Sequence, residues 1–442
     1  MASDVAVWDA QPIRRHQFGA GLVVQIVALV LKAATSQRSA VKVLEILGQH
    51  LSGLTRIPCA NSARLWLLRL GLYELSRPKE VAEDWVWIMD HTVQLGPWKC
   101  LVIVGVRLSA WRNQRAPLEH EDLTLFNLTP MEQSTGEAVA AQLEDTRRQT
   151  GIVPAAVLSD EGAELKSGMA LSGERSQEWS KVPHVYDIKH KVATFLKKEL
   201  HGNQKWKSFV LQTNRTKLQV TLTSLAFLVP PGLKNKARYM NLDTLVGWGN
   251  RVLAYLDNPR GIGDQKVDRT KLRAKLGWLR RYRGSLTQWA ELLAIAQRAE
   301  TYVRREGYHR AAAEELDAEL KTVARSAAGQ RLRMRLQAFM AEQGQGIPRG
   351  QRLLGSSEVL ESLLGKYKRI QGTHSAGGMT GSLLNIGTAV LTKTTETIQQ
   401  ALTTVPVAAV GKWVREKLGS TIPAQQSLLL RQNNNCINIK AA

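Results

Sequence analysis

Cysteine is nearly absent from this chain. Cys59, Cys100 and Cys436 are the only three in 442 residues, and no two of them form a Cys-x-x-Cys pair. That excludes a disulfide framework and a cysteine-built zinc site, and it fits a reducing cytosol. Long hydrophobic runs are also missing, and nothing reaches the ~20 apolar residues that a membrane-spanning helix needs. One segment has the look of a secretion signal: Arg14-Arg15, then Gly19 to Leu31, then Ala33-Ala34-Thr35. Gln25 interrupts its apolar run and Lys32 ends it, so a buried first helix is the expected reading. A phosphate loop of the form G-x-x-x-x-G-K-[ST] occurs nowhere, and Gly377, Gly378 and Gly381 do not open a helix after a strand. A kinase or nucleotide hydrolase therefore finds no support. Acidic residues are scarce relative to basic ones: 38 Asp and Glu face 60 Lys and Arg, for a net charge of +22.

Such an excess of positive charge attracts polyanions, and nucleic acid is the commonest of these. With 44% hydrophobic and 22% charged residues the chain reads as globular, and its length allows two or three domains.

Residues 1–80 read as helical, with segments from Leu22 to Lys32, Val41 to Leu51 and Ala63 to Leu70. A turn marked by Gly53 and Pro58 separates the last two. Helix, turn and a helix carrying Arg64 and Arg69 make a helix-turn-helix pattern, whose second helix would read a DNA groove. From Glu83 the period changes. Trp85 to Met89, Cys100 to Leu108 and Leu123 to Leu128 read as three consecutive strands. A helix over Glu132 to Thr150 follows, then a fourth strand at Ala155 to Ser159, a fifth at Lys181 to Tyr186, and a helix from Ile188 to Leu200. The order βββαβαβα predicts an α/β domain over 81–200, a mixed sheet flanked by helices in the RNase H arrangement. Residues 201–350 read as a basic, all-helical insertion. Its Trp206, Trp248, Trp278 and Trp289 are expected as core fillers, and Arg280, Arg281 and Arg283 as a clamp on a phosphate backbone. Residues 351–371 carry a further helix of the catalytic core. The tail, 372–442, begins with a Gly/Ser/Thr-rich segment and continues as helices over Leu383 to Leu402 and Val407 to Leu418.

Three acidic residues stand out against this frame. Asp90 closes the first apolar strand run and Asp160 the fourth, while Glu361 lies in the late helical segment Ser356 to Lys368. Strand ends are rigid places from which to aim a ligand. Carboxylates suit Mg²⁺, with Mn²⁺ as a substitute, because these ions prefer hard oxygen ligands, and two such ions can stabilise the attacking and leaving oxygens of a phosphodiester displacement. Glu358, one turn before Glu361, is an alternative third ligand. Asp187 competes with Asp160 or serves as a cap. His91 and His190 are candidates for orienting ligands or touching phosphate, and equally for filling structural positions.

The resemblance carried by these residues is to the DDE transposases of bacterial insertion sequences. Trp87-Ile88-Met89-Asp90-His91-Thr92 followed by Lys99 to Gly105 is similar to the family's first catalytic strand and hairpin. Leu158-Ser159-Asp160-Glu161-Gly162 resembles its second-aspartate motif, and Asp187-Ile188-Lys189-His190 the helix start after the fifth strand. Glu361-Ser362-Leu363-Leu364-Gly365-Lys366-Tyr367-Lys368 resembles the terminal glutamate helix. The resemblance covers roughly residues 36–200 and 350–370. It implies an RNase H-like core, Asp90, Asp160 and Glu361 as metal ligands, and Lys366 and Lys368 on DNA. It also implies element ends and target DNA as partners, and a homodimer or larger synaptic assembly. Two other readings stay open: an RNase H-like nuclease or resolvase, and a non-catalytic DNA-binding regulator descended from a transposase.

Overall fold

A computed structural model describes residues 12–50, 54, 56–95, 97–114, 117–232, 239, 242–259, 268–371, 379–420 and 424–429. The chain divides into two compact units, one built from 1–184 and 357–442, the other from 185–356. Cys436, the Gly/Ser-rich segment at 372–378 and the end of the tail lie outside the described residues.

The first unit begins with three helices, α1 (Ala20–Leu31), α2 (Gln37–Gly48) and α3 (Ala60–Ser76). Ser36 caps α2 by accepting the Ser39 amide, which satisfies a donor with no partner inside the helix. Strands β1 (Trp85–Leu95) and β2 (Trp98–Arg107) form a hairpin, the short helix α4 (Leu108–Asn113) follows, and β3 (Thr124–Met131) lies on the far side of β2. Helix α5 (Gly136–Thr150) ends on Gly151 at φ +70°, in the left-handed conformation glycine adopts at no steric cost. Then come β4 (Ala156–Ser159), α6 (Ala163–Arg175) and β5 (His184–Tyr186). The result is an α/β fold with one five-stranded mixed sheet in the order β3-β2-β1-β4-β5, in which β1 is antiparallel to β2 and parallel to β4. Both faces of the central strands are covered, so β1 and β4 read as unbroken apolar runs rather than alternating ones. On one face Trp87, Leu101, Ile103 and Val157 pack with Leu143 of α5, Leu165 of α6 and Trp179.

The second unit holds α7 (Ile188–Leu200), α8 (Gln204–Val220), α9 (Asp243–Asp257), α10 (Arg269–Leu276), α11 (Arg283–Glu306), α12 (Ala312–Lys321) and α13 (Ala327–Gly344). Trp206, Trp248 and Trp289 are buried in it. The Trp206 and Trp289 rings meet edge to face at 4.8 Å, and half-buried Trp278 donates its indole N–H to Thr216 Oγ1 at 2.9 Å.

The chain returns to the first unit with α14 (Glu358–Gln371), α15 (Asn385–Val390), α16 (Thr395–Thr404) and α17 (Val407–Leu418). The single helix expected over Leu383 to Leu402 is therefore two. Leu391 is extended, and Thr394 starts a new helix by accepting the Thr397 amide. These late helices pack on the early ones: α15, α16 and α17 all contact α3. Every residue of α3 from Trp66 to Glu74 is buried.

Arg69 is corrected by this arrangement. It is not a DNA contact, because its guanidinium is buried and donates to the carbonyls of Leu402 and Val405 at the end of α16. A cation there completes carbonyls left over at the helix C-terminus. No helix among the described residues is long and apolar enough to cross a membrane.

Candidate active site

Asp90 does not close its strand. β1 continues to Leu95 as one arm of the hairpin with β2, and Asp90 pairs with Val102 there. The parallel ladder to β4, by contrast, runs from Val86↔Ala156 to Met89↔Ser159 and stops. Asp90 and Asp160 are the residues that follow that last pair, on neighbouring strands about 4.8 Å apart. Side by side at the carboxyl edge of the two central parallel strands, they occupy the place where open α/β sheets bind ligands. Asp90 Oδ1 accepts the His91 amide at 2.6 Å, and Asp160 Oδ1 accepts the Gly162 amide at 2.9 Å. Each carboxylate is thus held by its own following backbone.

His91 stands within electrostatic reach of Asp160. Burial, then Lys99, lower its pKa, while Glu164 and Asp160 oppose them. Its Nε2 lies 2.7 Å from Ser134 Oγ. Lys99 at the start of β2 forms a 2.5 Å ion pair with Glu164 in the first turn of α6. That pair ties the hairpin to the helix that follows Asp160. In the sequence Lys99 is only the start of the hairpin stretch, and nothing there marks its pairing with Glu164.

Glu361 and Glu358 are both partly buried in the first turn of α14, which packs against β1. Helix α14 thus lies against the strand that carries Asp90. Among the described residues of the first unit, no three His, Cys, Asp or Glu side chains gather their ligand atoms within 4.8 Å.

Asp187 and His190 belong to the second unit, where buried Asp187 caps α7 by accepting the His190 amide at 2.8 Å, with His190 Nδ1 at 3.0 Å. In the same unit Arg280 donates to Leu256 O at 3.0 Å, and Arg283 grips both oxygens of Asp257 at 2.7 and 2.8 Å. Both thus serve the end of α9, and Arg281 is exposed beside them. An exposed pair such as Arg283–Asp257 opens at little cost. In the first unit Arg64 is exposed and holds Asn61, Lys368 is exposed, and Lys366 is half-buried.

Sequence reasoning missed His184, at the start of β5. Its Nε2 lies 2.8 Å from the hydroxyl of Ser159, the residue before Asp160. Burial first, and then Lys166, push its pKa from 6.5 down to about 4. The folded protein therefore holds this ring neutral where the unfolded chain would protonate it. The stability it supports is complete above pH 6.5 and drains away as pH falls toward 4, by about 3 kcal/mol in all. The urea midpoint of the wild type is expected to fall more steeply between pH 7 and pH 4 than that of His184→Gln. Parallel curves for the two proteins would contradict the assignment.

Compared with protein-family models and with curated proteins, the chain finds no match in either.

Proposed function

We propose that this chain is a DDE-type polynucleotidyl transferase, a transposase that cuts DNA at the ends of a mobile element and joins the freed ends to target DNA. The observation that carries the reading is the side-by-side placement of Asp90 and Asp160 beyond the Met89↔Ser159 pair, with the helix of Glu361 packed on the same strand. The strand order β3-β2-β1-β4-β5, three antiparallel strands and then a parallel one, is what an RNase H-like core requires. The net charge of +22 supplies the attraction to DNA.

Asp90, Asp160 and Glu361 offer an all-carboxylate donor set, which fits Mg²⁺ or Mn²⁺ rather than a soft metal. Such ions, when bound, supply Lewis-acid stabilisation of the charge that builds on the phosphate oxygens. The carboxylates aim that charge from a rigid sheet edge. In the first displacement a water oxygen bonds to phosphorus and the bond to the 3′ oxygen breaks, freeing a 3′-hydroxyl. In the second, that hydroxyl attacks a target phosphodiester and releases the target's own 3′ oxygen. Both are in-line phosphoryl transfers, so one constellation serves both. Two ends must be joined, so a dimer or larger synapse is the expected working form. In the helix-turn-helix part of the reading, recognition falls to Arg64 and the exposed first turn of α3, since the rest of that helix is core.

The test is cleavage of labelled DNA carrying the terminal inverted repeats of the element, with Mg²⁺, with Mn²⁺ and with EDTA. The expected result is strand cleavage at the element ends with either metal and none with EDTA. Tight, salt-sensitive binding without cleavage would make the protein a regulator, and cleavage unaffected by EDTA would overturn the metal assignment.

A further inference from the structure

Helix α8 carries two faces patterned for packing, and the described residues cover one of them. Trp206, Phe209, Thr213, Thr216 and Val220 are buried in the second unit. Their alternating spacing of three and four residues is that of the inner face of a helix. The same spacing recurs two residues further on, at Ser208, Leu211, Arg215, Leu218 and, in the turn after the helix, Leu222. Two residues turn a helix by about 200°, so this second seam points away from the first. Leu211, Leu218 and Leu222 are 53, 85 and 95% exposed. Single leucines scattered on a surface need no explanation, but three in one line mark a contact surface.

The residues beside that line select what covers it. Gln212, Asn214, Gln219 and Thr221 flank the seam, and none is charged. The exposed Lys207 stands at one end of it and Lys217 well round the helix. An acidic helix would find no row of cations there, and a phosphate backbone would meet leucines. A second copy of α8 fits. With the two helices antiparallel about a two-fold axis, the Leu211 end of each meets the Leu222 end of the other, and the uncharged flanks face one another. Arg215 fixes the direction. In a parallel pair like positions face each other, and Arg215 would meet its own charge. In an antiparallel pair it lies across from Leu218, packs its stem on that leucine and keeps its guanidinium in water. From Ser208 to Leu222 the seam spans about 21 Å. Two helices in contact over that length bury on the order of 1,000 Å² in all, at the low end of specific interfaces. That suffices for a reversible dimer and falls short of an obligate one.

We infer that the face of α8 carrying Leu211, Leu218 and Leu222 pairs two copies of this chain through a symmetric antiparallel contact. The contact depends on α8 alone and holds whether or not the first unit cuts DNA.

Sedimentation equilibrium of the full chain, without DNA, tests this. It is run at low salt and at about 0.5 M NaCl, which screens the repulsion between two chains of net charge +22. The expected result is a monomer–dimer equilibrium with a Kd of about 10 µM at the higher salt. It should tighten as salt rises, because the seam is apolar and the net charges repel. Leu218→Gln combined with Leu222→Gln should weaken the dimer about tenfold or more. The melting temperature of that variant should match the wild type, since both side chains are exposed. Leu211→Gln alone should weaken the dimer less, and Arg215→Leu should tighten it by adding an apolar contact to Leu218. A chain that stays monomeric up to about 100 µM at both salt concentrations would overturn the pairing. So would a dimer that the double variant leaves intact, because the copies would then meet elsewhere. A dimer that salt weakens would mark an ionic contact and overturn it as well. A dimer lost in the double variant, in a protein that cuts no DNA, would uphold the contact and sink the transposase reading. Cleavage of element ends by a protein that stays monomeric would do the reverse.

Discussion

Asp90→Asn is expected to lower metal-dependent strand cleavage by about a thousandfold or more, with thermal stability nearly unchanged. Asparagine keeps the shape of the side chain, and its amide oxygen can still accept the His91 N–H that Asp90 Oδ1 accepts at 2.6 Å. What it loses is the charge. A carboxylate here would help hold a divalent ion by offsetting its charge with a hard, anionic oxygen, and a neutral amide would do so far less well. Substitutions at partly exposed positions that preserve backbone hydrogen bonding usually change stability by only about 0.5 kcal/mol, so lost activity would not be lost fold. Asp160→Asn should behave alike, because Asp160 follows the same last pair of the β1–β4 ladder. Glu361→Gln and Glu358→Gln separate the two possible third ligands: the first should abolish cleavage, and the second should leave most of it. Cleavage by Asp90→Asn at the wild-type rate would end the catalytic assignment.

The parts of this site written into short stretches of chain were legible in the sequence. Trp85 to Met89 and Ala156 to Leu158 are unbroken apolar runs because both faces of those strands are covered, and an acidic residue close after such a run is conspicuous. Gly151 and Ser36 announce helix ends through local backbone chemistry, so the neighbouring helices were readable too. The extension of β1 past Asp90 was not, because His91 to Leu95 owe their strand conformation to pairing with β2 rather than to their own hydrophobicity. Contacts between distant segments were the least readable. Nothing around Arg69 shows that its guanidinium is consumed by carbonyls more than three hundred residues later, and an arginine on a helix after a turn looks the same whether it faces a DNA groove or a core. His120 suffers the same ambiguity, since its partners Ser362 and Lys366 reach it only through the packing of α14. Sequence period shows which face of a helix is apolar, but not which helix will cover it.

The largest effect on folding is expected from Gly71, where early and late parts of the chain cross. A Cβ at this position would lie 1.7 Å from Leu384 O and 3.1 Å from Thr388 Oγ1, and one at Gly387 would lie 2.6 Å from Gly71 O. The two glycines let α3 and α15 approach backbone to backbone, and Thr388, fully buried, seals the crossing by donating to Leu67 O at 2.5 Å. No rotamer change relieves a clash with a carbonyl oxygen, so the helices would have to part. Parting them would loosen α15 against β3 as well as α3. Overpacking that moves backbone costs about 3 kcal/mol and sometimes more, a large share of the 5–15 kcal/mol or so that holds a typical domain together. Gly71→Ala is therefore expected to lower the urea midpoint sharply, and Gly71→Val to leave little soluble folded protein. Gly365 provides the opposite case in the same unit. It is exposed in α14, and an added Cβ meets nothing within 4 Å. Gly365→Ala should stabilise by up to about 1 kcal/mol, through helix propensity alone. If Gly71→Ala and Gly365→Ala unfolded at the same urea concentration, the tight crossing of α3 and α15 would be wrong. So would the joining of the N-terminal helices and the C-terminal tail into the body that carries the two aspartates.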